Sequence, residues 1–359
     1  MKPFSKLEIR DSRFGRLRPL VVGSVALDMI FGIHGKIQDE ILVEKNGKLG
    51  RQNLMFTAKT REHFWGGTGG NIAYGLGLLG KKPLLFSLAG KDFEGSGFEP
   101  HLKKAGVDSR VVVNDKNWTA VFYGMSDELG QQIGVYQPNA YEKIDTLPLS
   151  KTLTKMDFAD ISVAIFSAGT GKSIYRHMKE TREKCGKGIT IIFDPGQVIS
   201  IFYDKKLLEK TLALADIFIG NEVECKQLET ILGYSHDKLL SRGLSAVIET
   251  RGEKGSVISA CACLPVQIRT RTDTHADRYE PPRVANTYGR RYLPPSQKTF
   301  IKAVKARKVT EATGAGDAYR AGMIAKLLEG KTLKDACDFG SKIASLSVAF
   351  HGGQTYRIN

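Results

Sequence analysis

Thr313-Gly314-Ala315-Gly316-Asp317 heads the run Ala-Tyr-Arg-Ala-Gly-Met-Ile-Ala-Lys-Leu-Leu. Small residues at a helix start let backbone N–H groups approach an anion, and the helix dipole favours negative charge there. A first-turn carboxylate, Asp317, can take a proton from a hydroxyl held beside that anion. Cradle plus base is the equipment for phosphoryl transfer to an alcohol, with the N–H groups of Gly314, Ala315 and Gly316 neutralising the transferring group. The plainer alternative is a carboxylate placed there by the dipole alone. A second cluster, Trp65-Gly66-Gly67-Thr68-Gly69-Gly70-Asn71, also opens a helix. Its glycines bring backbone close to a ligand, and Asn71 offers a donor and an acceptor to hydroxyls. Its alternative is a turn that needs only positive φ.

Two other glycine patterns carry no chemistry. Ala168-Gly169-Thr170-Gly171-Lys172-Ser173 lacks the first glycine of a Walker A loop, since Phe166 stands there. Gly75, Gly77 and Gly80 fit G-x-G-x-x-G but fall inside and at the end of a helix, not between strand and helix. The five cysteines have no metal-ligand spacing and read as reduced thiols of a cytoplasmic protein. His34, His63 and His351 show no ligand spacing either. No signal peptide is evident, and no apolar run nears the ~20 residues that span a bilayer.

The elements that must position these groups alternate. Strands are expected at 20–25, 84–89, 161–166, 189–193, 216–219 and 245–250. Helices are expected at 70–80, 94–105, 173–184, 204–213, 222–232, 315–329 and 333–349. The rhythm predicts an α/β chain with a mainly parallel sheet covered on both faces. Residues 31–65 and 110–136 read as small strands outside it, the second stretch including the valines at 111–113. With 42% hydrophobic and 25% charged residues, the 359-residue chain is globular and wholesale disorder is excluded. The 38 glycines with 12 prolines show no Gly-X-Y period, which excludes collagen.

The net charge is +15, and a pI near 9.5 raises the question of a polyanionic partner. Residues 1–18 carry +4 of it and residues 264–308 carry +8. The first is a basic tail. The second includes a Pro-, Arg- and Thr-rich stretch at about 262–300 that reads as a surface insertion. The rest of the chain is close to neutral, so nucleic-acid binding through tail and insertion is the alternative and not the leading reading.

With both glycine motifs at opposite ends, the chain resembles the ribokinase-like (PfkB) family of sugar and nucleoside kinases over about 19–355, the insertion excepted. Gly66 to Gly80 resembles its N-terminal signature and Thr313 to Asp317 its C-terminal one. The resemblance implies a three-layer α/β/α sandwich for residues 19–359, with a small β lid from 31–65 and 110–136 closing over substrate. It implies ATP and Mg²⁺ as cofactors. Asp317 is then the base, and Asp28, Gly66, Gly67 and Asn71 bind the substrate hydroxyls. Asn221 and Glu224, the family's N-x-x-E, organise Mg²⁺. Asn221, Thr250, Arg251, Gly252, Gly255 and Thr313 hold the nucleotide. Gly90-Lys91-Asp92 resembles its G-x-D. Members with a monovalent-cation site carry Asp where this chain has Glu311, so K⁺ is left open. The detailed likeness is to adenosine-kinase-like members, which implies a nucleoside acceptor at its 5′-OH. Ribose- or fructose-type sugars are the alternative. Phe31, Phe64, Trp65, Phe122 and Tyr136 are candidates to stack on a purine. A monomer or homodimer is expected.

Overall fold

The computed structural model describes residues 17–41, 50, 53–129, 131–261 and 296–358. The basic tail up to residue 16 and the insertion from 262 to 295 lie outside the described residues.

Nine strands form the main sheet. They are β1 (Arg18–Val22), β4 (Leu84–Gly90), β5 (Asp108–Asn114), β8 (Ile161–Ser167), β9 (Thr190–Asp194), β10 (Ile217–Asn221), β11 (Ala246–Thr250), β12 (Ser256–Cys261) and β13 (Ser296–Ile301). Their order is β13-β12-β11-β10-β9-β8-β1-β4-β5. From β11 to β5 all pairs are parallel, and β12 and β13 add an antiparallel edge. The central strands are unbroken apolar runs, as burial on both faces requires. β8, Ile-Ser-Val-Ala-Ile-Phe-Ser, is buried at every position.

Alternate residues of each strand feed two cores. Leu20, Val22, Phe166, Phe193 and Phe218 pack with the helices Gly171–Cys185, Lys205–Leu212 and Glu222–Leu232. Val21, Val163, Ile165, Ile192 and Ile219 pack with the helices Thr68–Leu78, Phe98–Lys104, Ala315–Leu328 and Leu333–Ser347. That makes three layers. The helix Gly171–Cys185 shows why: Ile174, His177, Met178 and Thr181 make one buried stripe at helical spacing.

A second sheet of four strands has the order β3-β2-β6-β7. Its members are β2 (Ala26–Ile33), β3 (Ala58–Gly66), β6 (Ala120–Ser126) and β7 (Gln132–Gln137). This is the lid, and its extent corrects the sequence reading in two ways. It starts at Ala26 instead of 31. The segment Asp108–Asn114 is not part of it but the parallel edge strand beside β4. Three valines suit either sheet, and only the pairing decides. Residues 296–300, assigned to the insertion, form β13 on the other edge. An edge strand with Phe300 60% exposed has no apolar alternation to announce it. No helix among the described residues is long and apolar enough to cross a membrane.

Candidate active site

The C-terminal ends of the parallel strands point to one rim, where ligands of open α/β sheets bind. The helices Thr68–Leu78 and Ala315–Leu328 pack on each other, and both begin at this rim. The first starts on Gly67 at φ +81, where a Cβ would meet Ser24 O at 2.6 Å and Ala26 N at 2.7 Å. This glycine lets the helix start lie against the β1–β2 connection. The second starts on Gly314 at φ +78; Ala315 N donates to Ala312 O at 3.1 Å, and no side chain among the described residues caps the N–H groups that follow it. A Cβ on Gly314 would sit 2.8 Å from Gly353 Cα.

These starts bring Asn71 and Asp317 together. Asn71 Nδ2 donates to Asp317 Oδ2 at 2.8 Å across 246 residues of sequence. Burial pushes Asp317 up to about 6, against the pull of Arg320 and of the Asn71 bond, while Asp194 and Glu224 add to the rise. A carboxylate near 6 is matched to general-base work at neutral pH.

One turn on, Arg320 is buried and donates through Nη2 to Asp194 Oδ1 at 2.6 Å. Ser167 Oγ donates to the other oxygen of Asp194, also at 2.6 Å. The guanidinium thus stands amid the charges of Asp194, Glu224 and Asp317, which hold its pKa above the ordinary arginine value. Sequence reasoning gave Arg320 and Asp194 no role. The available signal was helical spacing for Arg320, three residues after Asp317, and a strand end for Asp194.

Asn221 and Glu224 cap the helix Glu222–Leu232 reciprocally. Asn221 N donates to Glu224 Oε2 at 2.8 Å, Asn221 Nδ2 to Oε1 at 3.0 Å, and Glu224 N to Asn221 Oδ1 at 2.9 Å. Glu224 is 4% exposed, and burial raises its pKa, with Arg320 opposing and Asp194 adding. No cluster of three or more His, Cys, Asp or Glu able to hold a metal occurs among the described residues. One buried carboxylate beside an amide is a donor set suited to Mg²⁺ that keeps most of its waters and uses phosphate oxygens.

The lid contributes Asp28, which is 5% exposed and has no hydrogen-bond partner among the described residues. Burial first, then the charges of Asp317 and Glu311, push it up to about 8. Gly66 leaves room for it, because a Cβ there would collide with the carboxylate. Register sets its neighbours: Phe64 on β3, Asp28 on β2, Phe122 on β6 and Tyr136 on β7 form one rung across all four strands and share a face. Phe31 and Trp65, one residue or three off that rung, lie on the opposite face. Trp65 stacks on His101 with centroids 4.1 Å apart and donates to Ser96 O at 3.4 Å. Of the five candidate aromatics, Phe64, Phe122 and Tyr136 therefore accompany Asp28, and Trp65 is a packing residue. Asp92 is also structural: its Oδ1 accepts from Thr119 N and Oγ1 at 2.7 and 2.8 Å, tying β4 to the start of β6.

The remaining candidates divide. Thr250 Oγ1 donates to Gly220 O at 3.4 Å, and Arg251 Nε donates to Glu249 at 2.6 Å. Gly252, at φ +56, faces open space, whereas a Cβ on Gly255 would collide with Ile301 O. Gly255 is thus required by packing against β13. Ser256 and Tyr319 share a hydrogen bond of 2.8 Å that joins β12 to the helix of Asp317. Glu311 Oε2 accepts from Gly352 N at 2.9 Å, and its buried Oε1 has no partner among the described residues. Thr313 is half-buried beside Gly314. The Walker-like segment binds itself, since Thr170 Oγ1 accepts from Ser173 N at 3.2 Å. Gly75 and Gly77 press on Ala321 and on the Ala105 carbonyl, so they serve helix packing.

The model of the pfkB family carbohydrate kinases matches residues 36–275 and 288–358. The nucleoside kinase of Methanocaldococcus jannaschii is 25% identical over 335 residues, covering 93% of this chain and 91% of that one. The nucleoside kinase of Methanothermobacter thermautotrophicus is 27% identical over 305 residues, 84% of each. The structure of Burkholderia thailandensis nucleoside kinase in complex with inosine superposes with a TM-score of 0.71 at 26% identity, covering 94% of this chain and 93% of that one.

Proposed function

The chain belongs to the pfkB family of carbohydrate kinases, and from that premise we propose that it moves the γ-phosphoryl group of ATP to the 5′-hydroxyl of adenosine or another nucleoside. It is a phosphotransferase with an alcohol acceptor. The observation that carries the finer reading is the pairing of a buried carboxylate, Asp28, with a half-buried one, Asp317, in different surroundings. Asp317 is held by Asn71 at a helix start that no side chain among the described residues caps, and Asp28 lies between Phe64 and Phe122 with no hydrogen-bond partner among the described residues.

Asp317 takes the proton of the attacking hydroxyl as its oxygen bonds to the γ-phosphorus and ADP leaves, and the N–H groups of Gly314 and Gly316 receive the charge of the transferring phosphoryl group, that of Ala315 being engaged by Ala312 O. Asp28 accepts from a vicinal diol. Two donors restore the hydrogen bonds that burial denies its charged form, so binding favours ionisation. Gly66 leaves the Asp28 carboxylate room to face the diol, Gly67 brings backbone close to it, and Phe64 and Phe122 offer faces to a base. Asn221 and Glu224 would hold hydrated Mg²⁺, which supplies charge neutralisation between phosphates. Thr250, Arg251 and Gly252 border the nucleotide, and Thr313 precedes the anion cradle. Closing the lid over the rim excludes water from the transfer. The free thiols of Cys185, Cys225 and Cys337 suit a reducing, cytoplasmic setting.

The family's description favours a second reading, a sugar kinase of ribokinase or fructokinase type. A panel of nucleosides and sugars in an ATP-consumption assay separates the two. Turnover with nucleosides and none with free pentoses or ketoses is expected. Preference for a free sugar overturns the nucleoside reading.

A further inference from the structure

Gln354 was absent from every sequence argument, yet it is 1% exposed and touches both halves of the site. Its Nε2 donates to Asn71 Oδ1 at 3.1 Å and to Gly66 O at 3.3 Å. Those bonds use both hydrogens of the amide. Their direction is forced from both ends. An ionised Asp317 only accepts, so Asn71 must present Nδ2 to it and turn Oδ1 away. A peptide carbonyl also only accepts, so the group facing Gly66 must be Gln354 Nε2. Asn71 is itself confined, because a Cβ on Gly353 would stand 2.6 Å from Asn71 Nδ2. Turned over, the Asn71 amide would set Oδ1 against the Asp317 carboxylate.

We propose that Gln354 is a positioning residue for phosphoryl transfer: it locks the Asn71 amide with its donor toward Asp317, and through Gly66 it fixes the end of the lid strand beside Asp28 relative to the base. This rests on the reading of Asp317 as the base. The groups facing Asp317 are Arg320 on its own helix, Asp194 at the end of β9, Glu224 on the helix Glu222–Leu232, Asp28 on β2 and the Tyr356 phenol. None of them is altered by a substitution at 354.

The test is a double-mutant cycle in kcat with ATP and the best nucleoside of the panel, using Gln354→Met, Asn71→Ala and both together. Gln354→Met should lower kcat by about 10- to 100-fold, the worth of ordering a bond to a charged group. KM for ATP should hold, and the acid limb of the kcat profile should move to higher pH. Gln354→Glu should lose more, because an acceptor then faces Asn71 Oδ1. In the Asn71→Ala background the loss caused by the Met substitution should shrink to a few-fold, the part carried through Gly66. An unchanged kcat and pH profile in Gln354→Met, or the same loss with Asn71 absent, overturns the proposal. If the Met variant does not fold, Gln354→Asn, which shortens the reach by one methylene, carries the same cycle. Asp317→Asn run alongside separates the two readings: wild-type turnover there removes the base itself, whatever the cycle shows.

Discussion

Replacing Asp317 by Asn separates what the carboxylate does for the reaction from what it does to the fold. The Asn oxygen can still accept the Asn71 bond, so the geometry of the helix start is kept. Because Asp317 is raised from 3.8 to about 6, the folded protein binds its proton more tightly than the unfolded chain. The ionised group therefore destabilises the fold. The effect is absent below pH 3.8, grows as pH rises towards 6, and is complete above it. At 1.36 kcal/mol per pKa unit the full effect is ~3 kcal/mol. At roughly 2.1 cal/mol/K per residue, a chain of this length gains about 4 °C in Tm when it is removed. Loss of a general base should cut kcat by about 10²–10⁴-fold. Urea unfolding at pH 4 and pH 7.5, beside kcat at pH 7.5, tests both. The variant should be more stable than the parent at pH 7.5, nearly equal to it at pH 4, and almost inactive. A variant less stable than the parent at pH 7.5, or one turning over within tenfold of it, would refute the reasoning.

Asp28→Asn should raise KM for the alcohol substrate by about tenfold or more, as loss of charge-assisted bonds does, with KM for ATP unchanged in steady-state kinetics. Gly314→Ala should lose about 1 kcal/mol or more by strain at φ +78 and by contact with Gly353, seen as lower Tm together with lower kcat. Arg320→Met should lose about 3–5 kcal/mol in urea unfolding, since Asp194 is left buried without its cation. Adding Asp194→Asn should restore much of that loss, and a purely additive double variant would rule out the pairing.

The central strands were legible because burial on both faces leaves unbroken apolar runs such as Ile161–Ser167. The edges were not. Residues 111–113 suit either sheet, and β13, Ser-Gln-Lys-Thr-Phe-Ile, buries too little to show a period. In the site, Asp317 and Asn71 were legible through the glycines that let two helix starts crowd one rim. The choice between neighbouring Phe64 and Trp65 was not, because a one-residue step on a strand changes the face, and only register with Asp28 assigns it. Gln354 had no local signal at all. Its meaning lies wholly in contacts 283 and 288 positions earlier in the chain.

That separation also bears on how the protein is made. At a synthesis rate of 5–20 residues per second, about 15–60 s pass between the addition of residue 71 and that of residue 354. For the first 246 residues of that interval Asn71 lacks both hydrogen-bond partners and the helix Thr68–Leu78 lacks the helix Ala315–Leu328 that covers it. A ribosome-bound chain can complete most of the central sheet and still hold only half of a catalytic centre. A stall ahead of residue 315 would leave an apolar helix face, rather than a working enzyme, for chaperones to meet.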